Sequence, residues 1–144
     1  MIQLHSAKAA LAVIGLGILS LAAPASAQTI MQANIPFSFI ASDQSLPAGT
    51  YNFVISADFI HCQIVASDGS VHPIHFAPGG QRKSNTTLGA GVVQFHKYGD
   101  RYFLTQVWKP GNPDGLAAYP SKRMLESAKA MGAAETVNVD SEIK

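Results

Sequence analysis

The sequence predicts an all-β domain: a single antiparallel β-sandwich or small barrel of about six to eight strands, with one short helix towards the C-terminus. Three observations predict it. Val92–Trp108 reads VVQFHKYGDRYFLTQVW, two apolar runs rich in aromatic and β-branched residues joined by Gly99-Asp100, which is a hairpin signal. Elsewhere, short runs of alternating apolar and polar residues are separated by turn formers, the pattern of sandwiches and barrels. The period becomes helical only over Ser121–Met131.

The N-terminus is set aside first. Met1–Lys8 carries one Lys and one His, Ala9–Ala23 is a small-apolar run, and Ala25-Ser26-Ala27 fits a small-x-small cleavage pattern. Residues 1–27 are therefore expected to be a secretory signal peptide, with Gln28 opening the exported chain. The apolar run is shorter than the ~20 residues of a membrane-spanning helix, and Pro24 follows it. The expected location is periplasmic or extracellular, with no lipid-modified cysteine at the cleavage point.

Residues 28–144 suffice for one domain and are too short for two. The chain has ten Lys and Arg against nine Asp and Glu, and loss of Lys8 with the leader balances them. No run of like charge exceeds the pairs Arg82-Lys83 and Lys122-Arg123. Nucleic acid and anionic lipid, which demand concentrated positive charge, are excluded as partners. Cys62 is the single cysteine, so no intrachain disulfide forms; its apolar surroundings mark it as a buried small hydrophobe.

In chain order, Ile30–Ile40 alternates Ala33, Ile35, Phe37 and Phe39 against Asn34, Pro36, Ser38 and Ile40, a half-buried strand. Pro36 cannot donate to a ladder, which places that strand at an edge or turns Pro36 away from its neighbour. Leu46-Pro47-Ala48-Gly49 forms a type I turn before a strand at Tyr51–Ser56. A second hairpin is expected from Phe59–Ala66 and Val71–Ala77 around a two-residue Asp68-Gly69 turn of type I′. That register places Ile60, Cys62, Ile64 and Ala66 on the core face with Val71, Pro73, His75 and Ala77. Pro78–Thr87 is a polar surface loop, expected to be the most mobile internal segment.

In the Val92–Trp108 hairpin, a type II′ turn at Gly99-Asp100 fixes the pairing. Val93, Phe95, Tyr102, Leu104 and Trp108 then share the core face with Lys97 and Gln106. Val92, Phe103 and Val107 share the other with Gln94, His96 and Thr105. Lys109–Pro120, with three prolines and two glycines, is expected to be a long irregular connection. Ser121 caps a helix over about residues 121–131, with Met124, Leu125, Ala128 and Met131 on one face and Gly132 as its stop. It is expected to dock on the Val92, Phe103 and Val107 face. Residues 132–144 form a flexible tail in which a last short strand is left open.

Asn34-Ile35-Pro36-Phe37, Leu46-Pro47-Ala48-Gly49-Thr50-Tyr51, Tyr98–Leu104 with Val107-Trp108, and Pro120-Ser121-Lys122-Arg123 together resemble the pattern of an uncharacterised family of small exported bacterial β-sheet proteins. The likeness runs over roughly residues 33–128. The resemblance implies export and a shared β fold. It carries no activity, cofactor or catalytic residue.

Two groupings of residues bear on chemistry. Cys62 and His75 fall opposite one another in the expected β-hairpin, within reach of a thiolate–imidazolium dyad for hydrolase-type chemistry or a metal. A core histidine beside a buried cysteine is the competing reading. His72 and His75, three apart on a strand, point to opposite faces and do not chelate together. His96, Tyr98, Arg101, Tyr102 and Trp108 make the second grouping: a charged hairpin tip with an aromatic ledge of Tyr102 and Trp108, suited to a carbohydrate or envelope polymer. No phosphate-cradling loop, Cys-x-x-Cys or serine elbow occurs. No cofactor and no metal is expected. The function expected is a non-enzymatic structural or binding role in the cell envelope, with carbohydrate binding as the alternative and self-association through edge strand 30–40 as a further one.

Overall fold

Alternation of apolar and polar residues, broken by Pro, Gly and Asp, gives ten strands and one helix in the computed structural model, which describes residues 28–58, 61–81 and 90–144. The expected signal peptide, Phe59, Ile60 and most of the 78–87 loop lie outside the described residues. The elements are β1 (Thr29–Ile35), β2 (Phe39–Ala41), β3 (Gln44–Leu46), β4 (Gly49–Ile55), β5 (His61–Ala66), β6 (Val71–Gln81), β7 (Gly91–Tyr98), β8 (Arg101–Trp108), β9 (Asp114–Ala118), α1 (Lys122–Met131) and β10 (Glu135–Ile143).

Eight strands close into an antiparallel barrel in the order β1-β4-β5-β6-β9-β8-β7-β10 and back to β1. Of the two architectures expected, the molecule is the barrel. β2 and β3 form a hairpin outside the ring, with β2 parallel to β8 through Phe39↔Tyr102 and Ile40↔Phe103. Because β7 occupies one edge of β8 along its length, β2 and β9 share the other edge, β9 at Gln106 and Val107. The gap between β8 and β6 is therefore filled by two pieces of chain, β9 in one half and the β2–β3 hairpin in the other. His72 Nδ1 and Gln44 Oε1, 2.8 Å apart, tie β6 to β3 across this seam.

The barrel interior is filled by side chains, as an eight-stranded ring permits. Met31, Ile35, Phe53, Ile64, Phe95 and Leu116 are buried there, each large side chain contributing about 1.5–3 kcal/mol. Phe37 and Phe39 close one end. Phe37 stacks on Tyr102 at 3.8 Å and meets Phe95 edge-on at 5.0 Å, and Phe39 meets Tyr51 edge-on at 5.2 Å.

The segment expected to be one strand over 30–40 breaks at Pro36, which ends β1 and turns the chain into the external hairpin. β1 itself is bonded to β4 on one side and β10 on the other, so self-association through a free 30–40 edge is overturned. Residues 109–120, expected to be irregular, contain β9. Residues 132–144, read as a flexible tail, contain β10, a nine-residue strand that completes the ring between β1 and β7.

Two single-residue irregularities decide which side chains face outward. In β5–β6 the turn holds three residues, Ser67-Asp68-Gly69: the Gly69 N–H donates to the Ala66 carbonyl (3.0 Å), and the Ala66 N–H to the Ser70 carbonyl (2.9 Å). Cys62 then pairs with Ile74, and His61 with His75. In β7–β8 the expected pairing holds from Tyr98↔Arg101 to Phe95↔Leu104 around Gly99 (φ 59), after which Thr105 is an extra residue. Its hydroxyl donates to the Gln94 carbonyl at 3.0 Å. Beyond this bulge Val107 turns into the core opposite Val93, and Trp108 turns out opposite Val92.

The helix begins as expected: the Ser121 hydroxyl accepts the Met124 N–H (3.1 Å), and Gly132 (φ 76) stops it. It packs on β7, with Met131 against Gly99. Ser127 is buried, whereas Leu125, placed on the packing face by its spacing, is half exposed.

Candidate functional site

The external hairpin and β9 approach each other along the seam from opposite ends, and where they meet the wall is incomplete. A cleft of about 330 Å³ opens there, lined by Ser42, Asp43, His75, Tyr119, Pro120 and Ser121. The β2–β3 turn delivers Ser42 and Asp43. Ser42 has φ 52, the one positive φ of a non-glycine residue among the described residues, a conformation that costs on the order of 1–2 kcal/mol. β6 delivers His75, and the exit of β9 delivers the rest. The Tyr119 N–H donates to the His75 carbonyl at 3.2 Å, which pins the exit of β9 to β6.

Chemically, the cleft joins a carboxylate, an imidazole, hydroxyls and one aromatic ring. Tyr119 is 58 % exposed, one of few large apolar side chains so placed. Such a set offers a stacking surface beside directional hydrogen-bonding groups. The Ser121 hydroxyl also caps α1, so the helix start is built into the cleft wall.

A second polar cluster lies further along the seam. The Ser70 hydroxyl donates to Asp68 Oδ1 (2.6 Å) and lies 3.2 Å from His72 Nε2, whose other nitrogen meets Gln44. The Ser70 side chain first, then its backbone N–H, holds the Asp68 carboxyl below the usual carboxylate range. The cluster buttresses the β5–β6 turn and the hairpin contact.

The expected dyad does not form. Cys62 is 2 % exposed and faces inward opposite Ile74, while His75 points outward, because the three-residue turn shifts the pairing by one. Val71 and Pro73, assigned to the core side with His75, are likewise exposed. Burial pushes the Cys62 thiol up to about 12.

The hairpin-tip group is divided between the two faces of the sheet. Tyr102 turns inward, sandwiched between Phe37 and the Lys97 ammonium, which is 5.4 Å from its ring centre. Trp108 is on the outer side and 4 % exposed, its indole lying so close over Gly115 that a side chain there would collide with it. The aromatic ledge of Tyr102 and Trp108 is thus overturned by the Thr105 bulge. Tyr98 is buried edge-on to Phe103 (6.0 Å). His96 is half-buried on the outer face between Phe103 and Thr136, and desolvation lowers its pKa. Arg101 remains exposed.

Of the residues singled out by sequence as candidates for chemistry, only His75 lines the cleft. Ser121 was marked only as a helix cap and Pro120 only as part of the motif before it, and no spacing marked Ser42, Asp43 or Tyr119, since the three stretches that meet in the cleft lie more than 30 residues apart.

The fold defines the class: an eight-stranded antiparallel barrel with an external hairpin. Comparison with known proteins finds no match among models of protein families, curated proteins or solved structures. Among the described residues no helix is long and apolar enough to cross a membrane.

Proposed function

We propose that the chain is an exported, non-enzymatic β-barrel module of the cell envelope that binds a hydroxyl-rich polymer, a glycan, in the seam cleft. The observation that carries this reading is the exposed Tyr119 ring beside Asp43 and His75 in a cleft of about 330 Å³. That volume is at the small end of ligand pockets, about 300–1,000 Å³. The packed interior supports the same reading, because it leaves the outer wall for recognition. The leader-like residues 1–27 support export.

The test is co-sedimentation with purified envelope glycan, using wild type and Tyr119→Ala. Tyr119 is mostly exposed, so its removal leaves the melting temperature within about 1–2 °C while binding falls at least tenfold. Equal binding by both proteins, or none by wild type, refutes the cleft as a glycan site. Cell fractionation that finds the chain in the cytoplasm with residues 1–27 attached refutes export.

A further inference from the structure

We infer that His61 and His75 form an open two-imidazole site for a late first-row divalent metal ion, Cu²⁺, Ni²⁺ or Zn²⁺, on the outer wall of the barrel. The two are Cα partners in the β5–β6 ladder. Their neighbours Cys62 and Ile74 are buried, so by strand alternation both histidines project outward, and both are exposed.

Their backbone bonds show which kind of pair they make. The His61 carbonyl accepts the Ser56 N–H at 2.9 Å, towards β4, and the His75 carbonyl accepts the Tyr119 N–H at 3.2 Å, towards β9. Neither carbonyl points at the other strand. This is therefore the non-hydrogen-bonded, closer kind of antiparallel pair, with Cα atoms about 4.5 Å apart and side chains nearest each other. Two imidazoles rising side by side from such a pair can converge on one ion at metal–nitrogen distances of about 2.0–2.1 Å.

Orientation is supplied by Asp58, whose Oδ2 lies 3.2 Å from His61 Nδ1. Asp58 also accepts the Ser56 hydroxyl through its other oxygen. With Nδ1–H donated to the carboxylate, the Nε2 lone pair of His61 is directed outward, the carboxylate–histidine arrangement that favours metal ligation. Imidazole donors select copper, nickel and zinc over magnesium and calcium. Among the described residues no group of three or more His, Cys, Asp or Glu converges on one point. The remaining coordination positions therefore belong to water or to a molecule held in the adjoining cleft, which His75 also lines.

The inference stands apart from the glycan reading, since the probe is the metal alone. Titration of the protein, purified without a histidine tag, with Cu²⁺ or Zn²⁺ by calorimetry shows one ion bound per chain at pH 7.5. Affinity falls at least tenfold in His61→Ala and in His75→Ala, and is unchanged in His72→Ala and Tyr119→Ala. Electron paramagnetic resonance of the Cu²⁺ complex shows two equivalent nitrogen ligands in wild type and one in either variant. Wild-type binding no tighter than that of the doubly substituted His61→Ala/His75→Ala protein, or loss of binding in His72→Ala, overturns the assignment. Both histidines are exposed, so circular dichroism of the variants matches wild type.

Discussion

Cys62 makes the barrel interior measurable. Its thiol faces inward opposite Ile74 and is 2 % exposed, and burial raises its pKa from 9.0 to about 12. Only the thiolate reacts with alkylating agents. At pH 8 a thiol of pKa 9.0 is ionised to about one part in ten, and one of pKa 12 to about one part in ten thousand. Native Cys62 should therefore alkylate about a thousandfold more slowly than the unfolded chain, before steric access is counted. The same shift makes stability depend on pH. Between about pH 9 and 12 the folded chain keeps a proton that the unfolded chain has lost, so this contribution is fully present below pH 9 and is lost as pH rises. By pH 11, two units into the window, the loss is on the order of 3 kcal/mol. Urea unfolding of wild type and Cys62→Val at pH 8 and 11 isolates it, because Tyr51 and Lys109 titrate in both proteins. The wild-type stability should fall more steeply by that amount. Parallel curves, or native alkylation at pH 8 within tenfold of the unfolded rate, would refute an inward-facing Cys62.

Four other substitutions test the bulge, the β5–β6 turn and the helix cap. Val107→Thr buries a hydroxyl in the core and should cost about 1–3 kcal/mol in urea unfolding, whereas Gln106→Thr, on the outer side, stays within about 0.5 kcal/mol; a hairpin without the Thr105 bulge would reverse the two. Gly69→Ala places a side chain at φ 87 and should destabilise by about 1–2 kcal/mol by the same measurement, with no steric clash to add, since a Cβ there meets open space. Ser121→Ala removes the helix cap, costs about 1 kcal/mol in thermal unfolding, and speeds hydrogen exchange of the Met124 amide.

The strands were legible because alternation and turn residues are local signals. The hairpin at Gly99-Asp100, the inward set Ala33, Ile35 and Phe39, and the Ser121–Gly132 helix limits follow from neighbours a few positions apart. β9 was not legible. Asp-Gly-Leu-Ala-Ala has little intrinsic strand preference, and it is extended because β6 and β8 offer it two ladders at once. β10 is similar: Val137 and Val139 alone signal a strand, and closure of the ring recruits the polar residues around them.

Both misplaced sites trace to one extra residue, and with a side-chain period of two, one residue reverses every face beyond it. At Asp68-Gly69 a two-residue type I′ turn requires positive φ at both positions, which Asp68 adopts only at a cost. The three-residue turn confines the positive φ to Gly69 and lets the Asp68 carboxylate accept the Ser70 N–H (2.8 Å) and hydroxyl (2.6 Å). At Thr105 the hydroxyl bond to the Gln94 carbonyl sustains the bulge, and a ring this small needs such points of extra twist to close. Together the two shifts separate Cys62 from His75, part Tyr102 from Trp108, and set His61 beside His75. Removing the first shift is therefore a direct test of where function resides. A variant with Ser70 deleted, in which the same three-residue turn pairs Ala66 with Val71 and hence Cys62 with His75, should bring His75 inward against Cys62 and lose Cu²⁺ binding; a folded variant that keeps wild-type metal affinity would show that the ligands lie elsewhere on the barrel.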